Sequence, residues 1–281
     1  MAKCRALLGA LLLFACMAVP VAAEDAAQSR SVQVRGSTIF LPAMQMLAER
    51  YMAEHAGSRV VVLGGGSWLG IKSVLDKSAA LGVVSGEGLP DDLAELVEDE
   101  NLSLRRAPIA RYGVVPIVHP GNPIADLSLA QLRDIYAGRI TSWKEVGGPA
   151  QPIHIIASAD AMAGIFQVWN AKVMGGTTPV TPSASTVSAS QIGEAVAHDP
   201  LAIGYTALGR LTGSVKALKV GGAEAREDSI ADGRYGVTGD VALAYLDPLS
   251  GPTKAFLDYC LGEAGREETR RVRGAFIGDR K

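Results

Sequence analysis

Cysteine, histidine and long apolar runs are all scarce in this chain, and each shortage removes a class of function. Of its three cysteines, Cys4 and Cys16 lie within the first 23 residues. Those residues have a basic start (Lys3, Arg5), an apolar run from Ala6 to Val19, and small residues at Val21 and Ala23 before Glu24, the pattern of a secretory signal peptide. Cleavage after Ala23 leaves Cys260 alone, so no intrachain disulfide can form even in an oxidising compartment. Cys260 falls in an apolar helical pattern with Phe256, Leu257 and Leu261 and reads as a small buried hydrophobe. A lipid on Cys16 is the alternative, against which the bulky Phe14 argues. No later run approaches the roughly 20 apolar residues that a spanning helix needs. The exported chain is expected to be soluble, in the periplasm or secreted.

The four histidines, His55, His119, His154 and His198, fall on separate expected elements, and none has a metal-ligand spacing with another His, Cys or acid. Ser67 in Gly66-Ser67-Trp68-Leu69-Gly70 matches the nucleophile-elbow pattern only loosely, and no histidine follows in the strand-end context that a hydrolase needs. The chain is therefore expected to be no enzyme, with no cofactor and no metal. Charge excludes another class. Without Lys3 and Arg5 the balance is 25 basic against 29 acidic residues, which offers nucleic acid no footprint. The basic C-terminal residues Arg270, Arg271 and Arg273 alternate with Glu267 and Glu268 and read as a solvated helix face.

What is present is an alternation of strand and helix. Ser31 to Val34 reads as a strand, Gly36-Ser37-Thr38 as a turn, and Phe40, Met44, Leu47, Ala48, Tyr51 and Met52 as a helical stripe. Arg59 to Leu63, Gly64-Gly65-Gly66-Ser67 and Leu69, Ile71, Leu75 repeat that sequence of events. Leu81 to Val84 and Gly113 to Val118 are further apolar strands, and the whole predicts an α/β architecture. Beyond residue 122 come a strand at Ile153 to Ile156, helices at Ile165 to Val173 and Ser190 to Ala197, a buried strand at Leu201 to Ala207, and closing helices near 253–261 and 263–273.

The two glycine-rich turns carry the chemistry. A helix N-terminus offers unpaired N–H groups and partial positive charge, so an oxyanion settles there without a lysine. Ser37 and Thr38 add hydroxyls at the first turn, with the amides of Ile39 and Phe40 behind them, and Ser67 adds one at the second. Each motif alone reads equally as an ordinary N-cap. On consecutive strand ends of one sheet they point to a single crevice.

The segment Asn122 to Gly148, NPIADLSLAQLRDIYAGRITSWKEVGG, is the strongest signature. Ser128 and Gln131 form a capping box, Leu129, Leu132, Ile135 and Tyr136 an apolar face, and Trp143 with Gly147-Gly148 a turn toward the next strand. Together with Gly36-Ser37-Thr38, Gly64 to Ser67 and Ala202-Ile203-Gly204-Tyr205, it resembles the phosphate-binding-type periplasmic solute receptors of ABC importers. The resemblance implies a two-lobed type II periplasmic binding protein, a Venus flytrap whose lobes are each a mixed sheet flanked by helices. Residues 24–118 with about 238–281 would form the first lobe and 119–237 the second. It implies a small anion such as phosphate in the cleft of a monomer, and an ABC permease as partner. The candidate ligand residues are Ser37, Thr38, Ile39, Ser67, Ser85, Ser158 and Asp160.

Several positions depart from the family. Ala79-Ala80 stands where Ala-Asp is usual, which predicts loss of the carboxylate that accepts a proton from hydrogen phosphate. Glu87 follows Ser85-Gly86 where an arginine is common. Asp160 falls where a phosphate-binding serine is expected, and Trp68 and Leu69 replace small residues. These changes predict weak phosphate binding or another small anion. The competing reading is a receptor-derived interaction or sensory module, bound to a membrane sensor, with Trp143 and the surface from Arg133 to Lys144 as its docking face or Trp143 as a core anchor.

Overall fold

The computed structural model describes residues 31–86, 91–161 and 163–276. The expected signal peptide, the alternative lipid-anchor position Cys16, and Glu87 lie outside the described residues. Alternation builds the first strand, β1 (Ser31–Gly36), whose Val32 and Val34 are buried while Ser31, Gln33 and Arg35 are half-buried. Helix α1 (Leu41–Glu54) buries Ala43, Met44, Leu47, Ala48 and Tyr51, a stripe at helical spacing. The pattern repeats in β2 (Arg59–Leu63), α2 (Ser67–Leu75) and β3 (Leu81–Ser85). Both β2 and β3 pair parallel to β1.

After α3 (Asp91–Asp99) comes β4 (Leu104–Val118), a 15-residue strand. Only its last third has the apolar run expected of it. Arg105, Arg106 and Arg111 interrupt the pattern earlier, yet they are held on the sheet: Arg111 forks onto Asp240 at 2.6 and 2.9 Å, and Arg106 donates to the Gly86 carbonyl at 2.9 Å.

The next stretch holds β5 (Asp126–Leu127), α4 (Leu129–Tyr136), β6 (His154–Ser158), α5 (Gly164–Lys172), β7 (Ser185–Val187), α6 (Ile192–Ala197) and β8 (Ala202–Ala207). Short strands β9 (Lys216–Ala217) and β10 (Lys219–Val220) and helix α7 (Glu227–Ala231) lead to β11 (Thr238–Leu246). Helices α8 (Gly251–Leu261) and α9 (Glu263–Arg271) and strand β12 (Ala275–Phe276) close the described chain. The main sheet runs β2-β1-β3-β11-β4-β8-β6-β7, with β9 and β12 also on β4. The closing helices return to the start as expected: Phe256 and Tyr259 pack edge-on to Tyr51, and the Tyr259 hydroxyl donates to Glu54 at 3.0 Å.

The signature segment folds as its residues dictate. Ser128 Oγ accepts from the Gln131 amide at 3.1 Å and Gln131 Oε1 accepts from the Ser128 amide at 2.8 Å, which completes the capping box. Trp143 is fully buried and its indole N–H donates to the Leu201 carbonyl at 3.0 Å, so it is a core anchor and no docking surface. Behind it, Tyr136 and Tyr205 enclose Trp169, whose ring stacks on Tyr205 at 4.5 Å. Replacing Trp143 by Ala should remove about 3–5 kcal/mol from the unfolding free energy, read from urea denaturation, because it opens a cavity and strands a buried carbonyl. A loss below about 1 kcal/mol would show that the segment is peripheral to the cooperative unit.

Candidate functional site

Strand β11 pairs antiparallel with both β3 and β4, so β1, β2 and β3 run in the same sense as β4. Strand β8 pairs antiparallel with the far end of β4 and parallel with β6, which pairs parallel with β7. The two parallel sets therefore point their C-terminal ends at each other. They meet where Gly113 pairs with Thr238 and Val114 with Ala207. Crevices beyond the carboxyl ends of parallel strands are where α/β sheets hold ligands.

A cavity of about 600 Å³ lies at this junction, lined after β1 by Ser37, Thr38 and Ile39, after β2 by Gly65 to Leu69, and after β6 by Asp160 and Ala163 to Ile165. Ser188 to Ser190 after β7, and Ala207 and Arg210 after β8, complete it. The two glycine-rich turns thus share one site. Their close approach depends on Gly36, at φ 145°, where a Cβ would sit 2.0 Å from the Val83 carbonyl oxygen.

Two helices begin on this cavity without a side-chain cap, α2 after Gly66 and α5 after Ala163, and α1, also uncapped, begins at Leu41 just past the lining residue Ile39. Ser37 and Ser67 do not serve as N-caps. The Ser37 hydroxyl accepts from the Ile39 amide at 3.3 Å, and Ser67 is already the first residue of α2. First-turn amides of α2 and α5 are left to whatever fills the cavity, and the two positive ends favour an anion.

The serines behind this surface form a buried chain. Ser37 Oγ lies 2.7 Å from Ser85 Oγ, which lies 3.0 Å from Ser67 Oγ, while Ser67 accepts from the Ser85 amide at 2.9 Å and donates to its carbonyl at 3.1 Å. One proton assignment satisfies the contacts among the serines: Ser37 donates to Ser85, Ser85 to Ser67, and Ser67 to the Ser85 carbonyl. The Tyr112 hydroxyl reaches Ser85 and also donates to the Gly164 carbonyl at 3.3 Å. Burial holds the Tyr112 phenol well above its ordinary pKa, so it remains a neutral donor.

Of the seven candidate residues, Ser37, Thr38, Ile39, Ser67 and Asp160 line the cavity; Ser85 and Ser158 sit behind it. Ser158 is buried, its amide donating to Tyr205 Oη at 3.1 Å and its hydroxyl bonded to the Asp160 carbonyl and amide at 3.1 and 3.2 Å. Burial pushes the Tyr205 phenol up to about 12. Ala80 is corrected. It precedes β3 at the end opposite Ser85, roughly 16 Å away at the rise of an extended strand, so a carboxylate there would not reach the cavity. Its replacement by alanine says nothing about anion binding.

Arg210 was not anticipated. It follows β8 by a short 3-10 turn and donates to the Thr38 carbonyl at 3.1 Å, joining the two sides of the cavity. Ser188 to Ser190 repeats the turn-after-strand arrangement but was hidden in a segment that reads as a Thr, Pro and Ser loop. No histidine lines the cavity, and among the described residues no cluster of His, Cys, Asp and Glu is placed to hold a metal. Ser67 is engaged with Ser85, with no base beside it.

A family model described as the PBP superfamily domain matches residues 21–264. The chain belongs to this family. A phosphate-binding protein, PstS, of Bacillus subtilis (strain 168) is 28% identical over 239 residues, spanning 84% of this chain and 76% of its own length. Among solved structures, a Clostridium perfringens protein assigned as a phosphate ABC transporter substrate-binding protein, with bound phosphate, superposes with a TM-score of 0.78 at 28% identity and covers 88% of this chain and 99% of its own. An ABC-type phosphate transport receptor of Vibrio cholerae gives a TM-score of 0.74 at 27% identity, covering 88% of this chain and all (100%) of its own. The expected fold class holds: this is the mixed α/β architecture of the type II periplasmic binding proteins.

In this PBP-family chain the tightest contact across the cleft is at Gly164, where a Cβ would fall 2.4 Å from Ser85 Oγ and 2.8 Å from Ile39 Cδ1. Ser85 cannot turn aside without breaking the serine chain. Gly164→Ala should destabilise the protein by about 1–3 kcal/mol in thermal or urea unfolding, and adding Ser85→Ala should recover part of that loss. Strictly additive losses in the double variant would mean that the two residues do not touch.

Proposed function

We propose that the chain is an exported, non-catalytic receptor that holds a phosphate-class oxyanion in the cleft and presents it to the permease of an ABC importer. The observation that carries this is the convergence of two uncapped helix starts, those of α2 and α5, on one cavity with the hydroxyls of Ser37, Thr38 and Ser67. The family membership and the phosphate relatives support the same reading, and no helix among the described residues is long and apolar enough to cross a membrane. Residues 24–118 with 238–281 and residues 119–237 act as the two lobes, moving about the paired backbone at Gly113, Val114, Val237 and Thr238.

In this reading Ser37, Thr38, the Ile39 amide and Ser67 are ligands, while Ser85 and Ser158 position them. Binding is an exchange. The Ser37 hydroxyl turns from Ser85 to the anion, replacing a neutral hydrogen bond by a charge-assisted one, and the Ile39 amide is released by the same rotation. Arg210 adds positive charge at the rim, and Asp160 adds a carboxylate that tolerates an anion able to donate a proton and repels one that cannot.

Calorimetry tests the reading directly. Ser37→Ala and Thr38→Ala should each weaken inorganic phosphate by about 1.5–3 kcal/mol, the usual worth of a hydrogen bond to a charged group. Ser67→Ala should weaken it too, with an added loss of fold stability because the buried Ser85 amide loses its acceptor. Asp160→Ser should raise sulfate affinity by about tenfold, corresponding to roughly 1.4 kcal/mol of relieved repulsion. Wild-type protein that binds neither phosphate nor sulfate would leave the interaction-module reading in its place.

A further inference from the structure

We infer that the anion taken by this cleft is organic: a phosphate monoester or phosphonate whose apolar or aromatic substituent lies against Ile39, Trp68, Leu69 and Ile165. This rests on the anion-receptor reading above and names its substrate class. A bare tetrahedral oxyanion displaces about three waters, on the order of 90 Å³. The cavity holds about 600 Å³, within the range that suits a larger molecule.

That surplus is not slack left by an open cleft. Contacts across it are already made: Tyr112 to the Gly164 carbonyl at 3.3 Å, Arg210 to the Thr38 carbonyl at 3.1 Å, and Gly164 against Ser85 with no room for even a methyl group. Drawing α5 further in is blocked at Gly164, so the cavity cannot shrink by approach at that point. Its walls are largely carbon, and Trp68 and Leu69 stand on the first turn of α2, beside the amides that would hold the anion. Leu69 folds over the glycine turn: its Cδ2 lies 2.5 Å from where a Cβ on Gly65 would be. There it narrows the approach of a fully hydrated ion and offers a surface to an apolar group. A small inorganic anion would leave these side chains facing trapped water, whereas a substituent of matching size removes that apolar area from water.

The test titrates the full mature chain with inorganic phosphate and with phenyl phosphate by calorimetry, in wild type and in Trp68→Ala and Leu69→Ala. Phenyl phosphate should bind at least about tenfold tighter than inorganic phosphate, and each substitution should cut that ratio to about threefold or less. Two separate substitutions guard against one failing to fold, and the wild-type ratio stands without either. Inorganic phosphate binding as tightly as phenyl phosphate, or more tightly, would overturn the inference while leaving the anion receptor intact. A preference that survives both substitutions overturns the placement of the substituent. If neither compound binds, the anion reading and this inference fall together.

Discussion

A single strand, β4, sets the geometry on which the cleft depends. Over its first part it pairs antiparallel with β11, and beyond Gly113 it pairs antiparallel with β8, so it carries the sheet from one half of the molecule into the other. Because β11 also reverses direction between β3 and β4, the strands before it are forced parallel to β4 and the strands after it antiparallel. Strand C-termini then face each other from both sides. Each loop leaving those ends and entering a helix must present first-turn N–H groups to the same small volume. The positive helix ends at the cleft are therefore a consequence of topology, and among the described residues Arg210 and Asp160 are the two charged residues on its walls and are opposite in sign.

This arrangement explains how a protein of net acidic composition can hold an anion. It also limits the affinity. Where hydroxyls already satisfy one another, as Ser37, Ser85 and Ser67 do, a ligand gains only the difference between the bonds it makes and those it breaks. The serine chain keeps polar groups paired in the empty site, where an orphaned buried hydroxyl would cost stability. It also holds Ser37 where a change of χ1 rotamer carries the hydroxyl away from Ser85. Ser85 pays no visit to the cavity, yet it holds both ligating serines in place and meets Gly164 from the opposite side.

Much of this fold was legible because it is local. The strand at Arg59–Leu63, the capping box at Ser128 and Gln131, and the stripe of α1 are each written in a few adjacent residues. The long first part of β4 was not, because Arg105, Arg106 and Arg111 break its alternation and are held by partners as remote as Asp240, 129 positions away. The site divides the same way. Ser37, Thr38 and Ser67 follow strands with glycine turns and could be named from the sequence, whereas Arg210 and Ser188 to Ser190 enter through pairing of β6, β7 and β8 that no local pattern announces. Ala80 shows the opposite failure. A family position was matched by its neighbours in sequence, and only the strand's direction reveals that it lies at the wrong end.

That correction changes the argument on selectivity. With Ala80 remote, the proposed reading leaves Asp160 as the carboxylate at the cavity, its backbone held by Ser158, whose hydroxyl both accepts from the Asp160 amide and donates to its carbonyl. Ser158 is in turn fixed by Tyr205, which stacks on Trp169 in the core of the second half. These bonds fix the backbone of Asp160 at the edge of the cavity. On the proposed reading, a carboxylate beside the N-termini of α2 and α5 lowers affinity for every fully ionised oxyanion and spares one that keeps a proton to donate. Selectivity then comes from a penalty on the wrong ligand more than from added attraction to the right one, which is how a site of modest charge can discriminate among anions of the same shape.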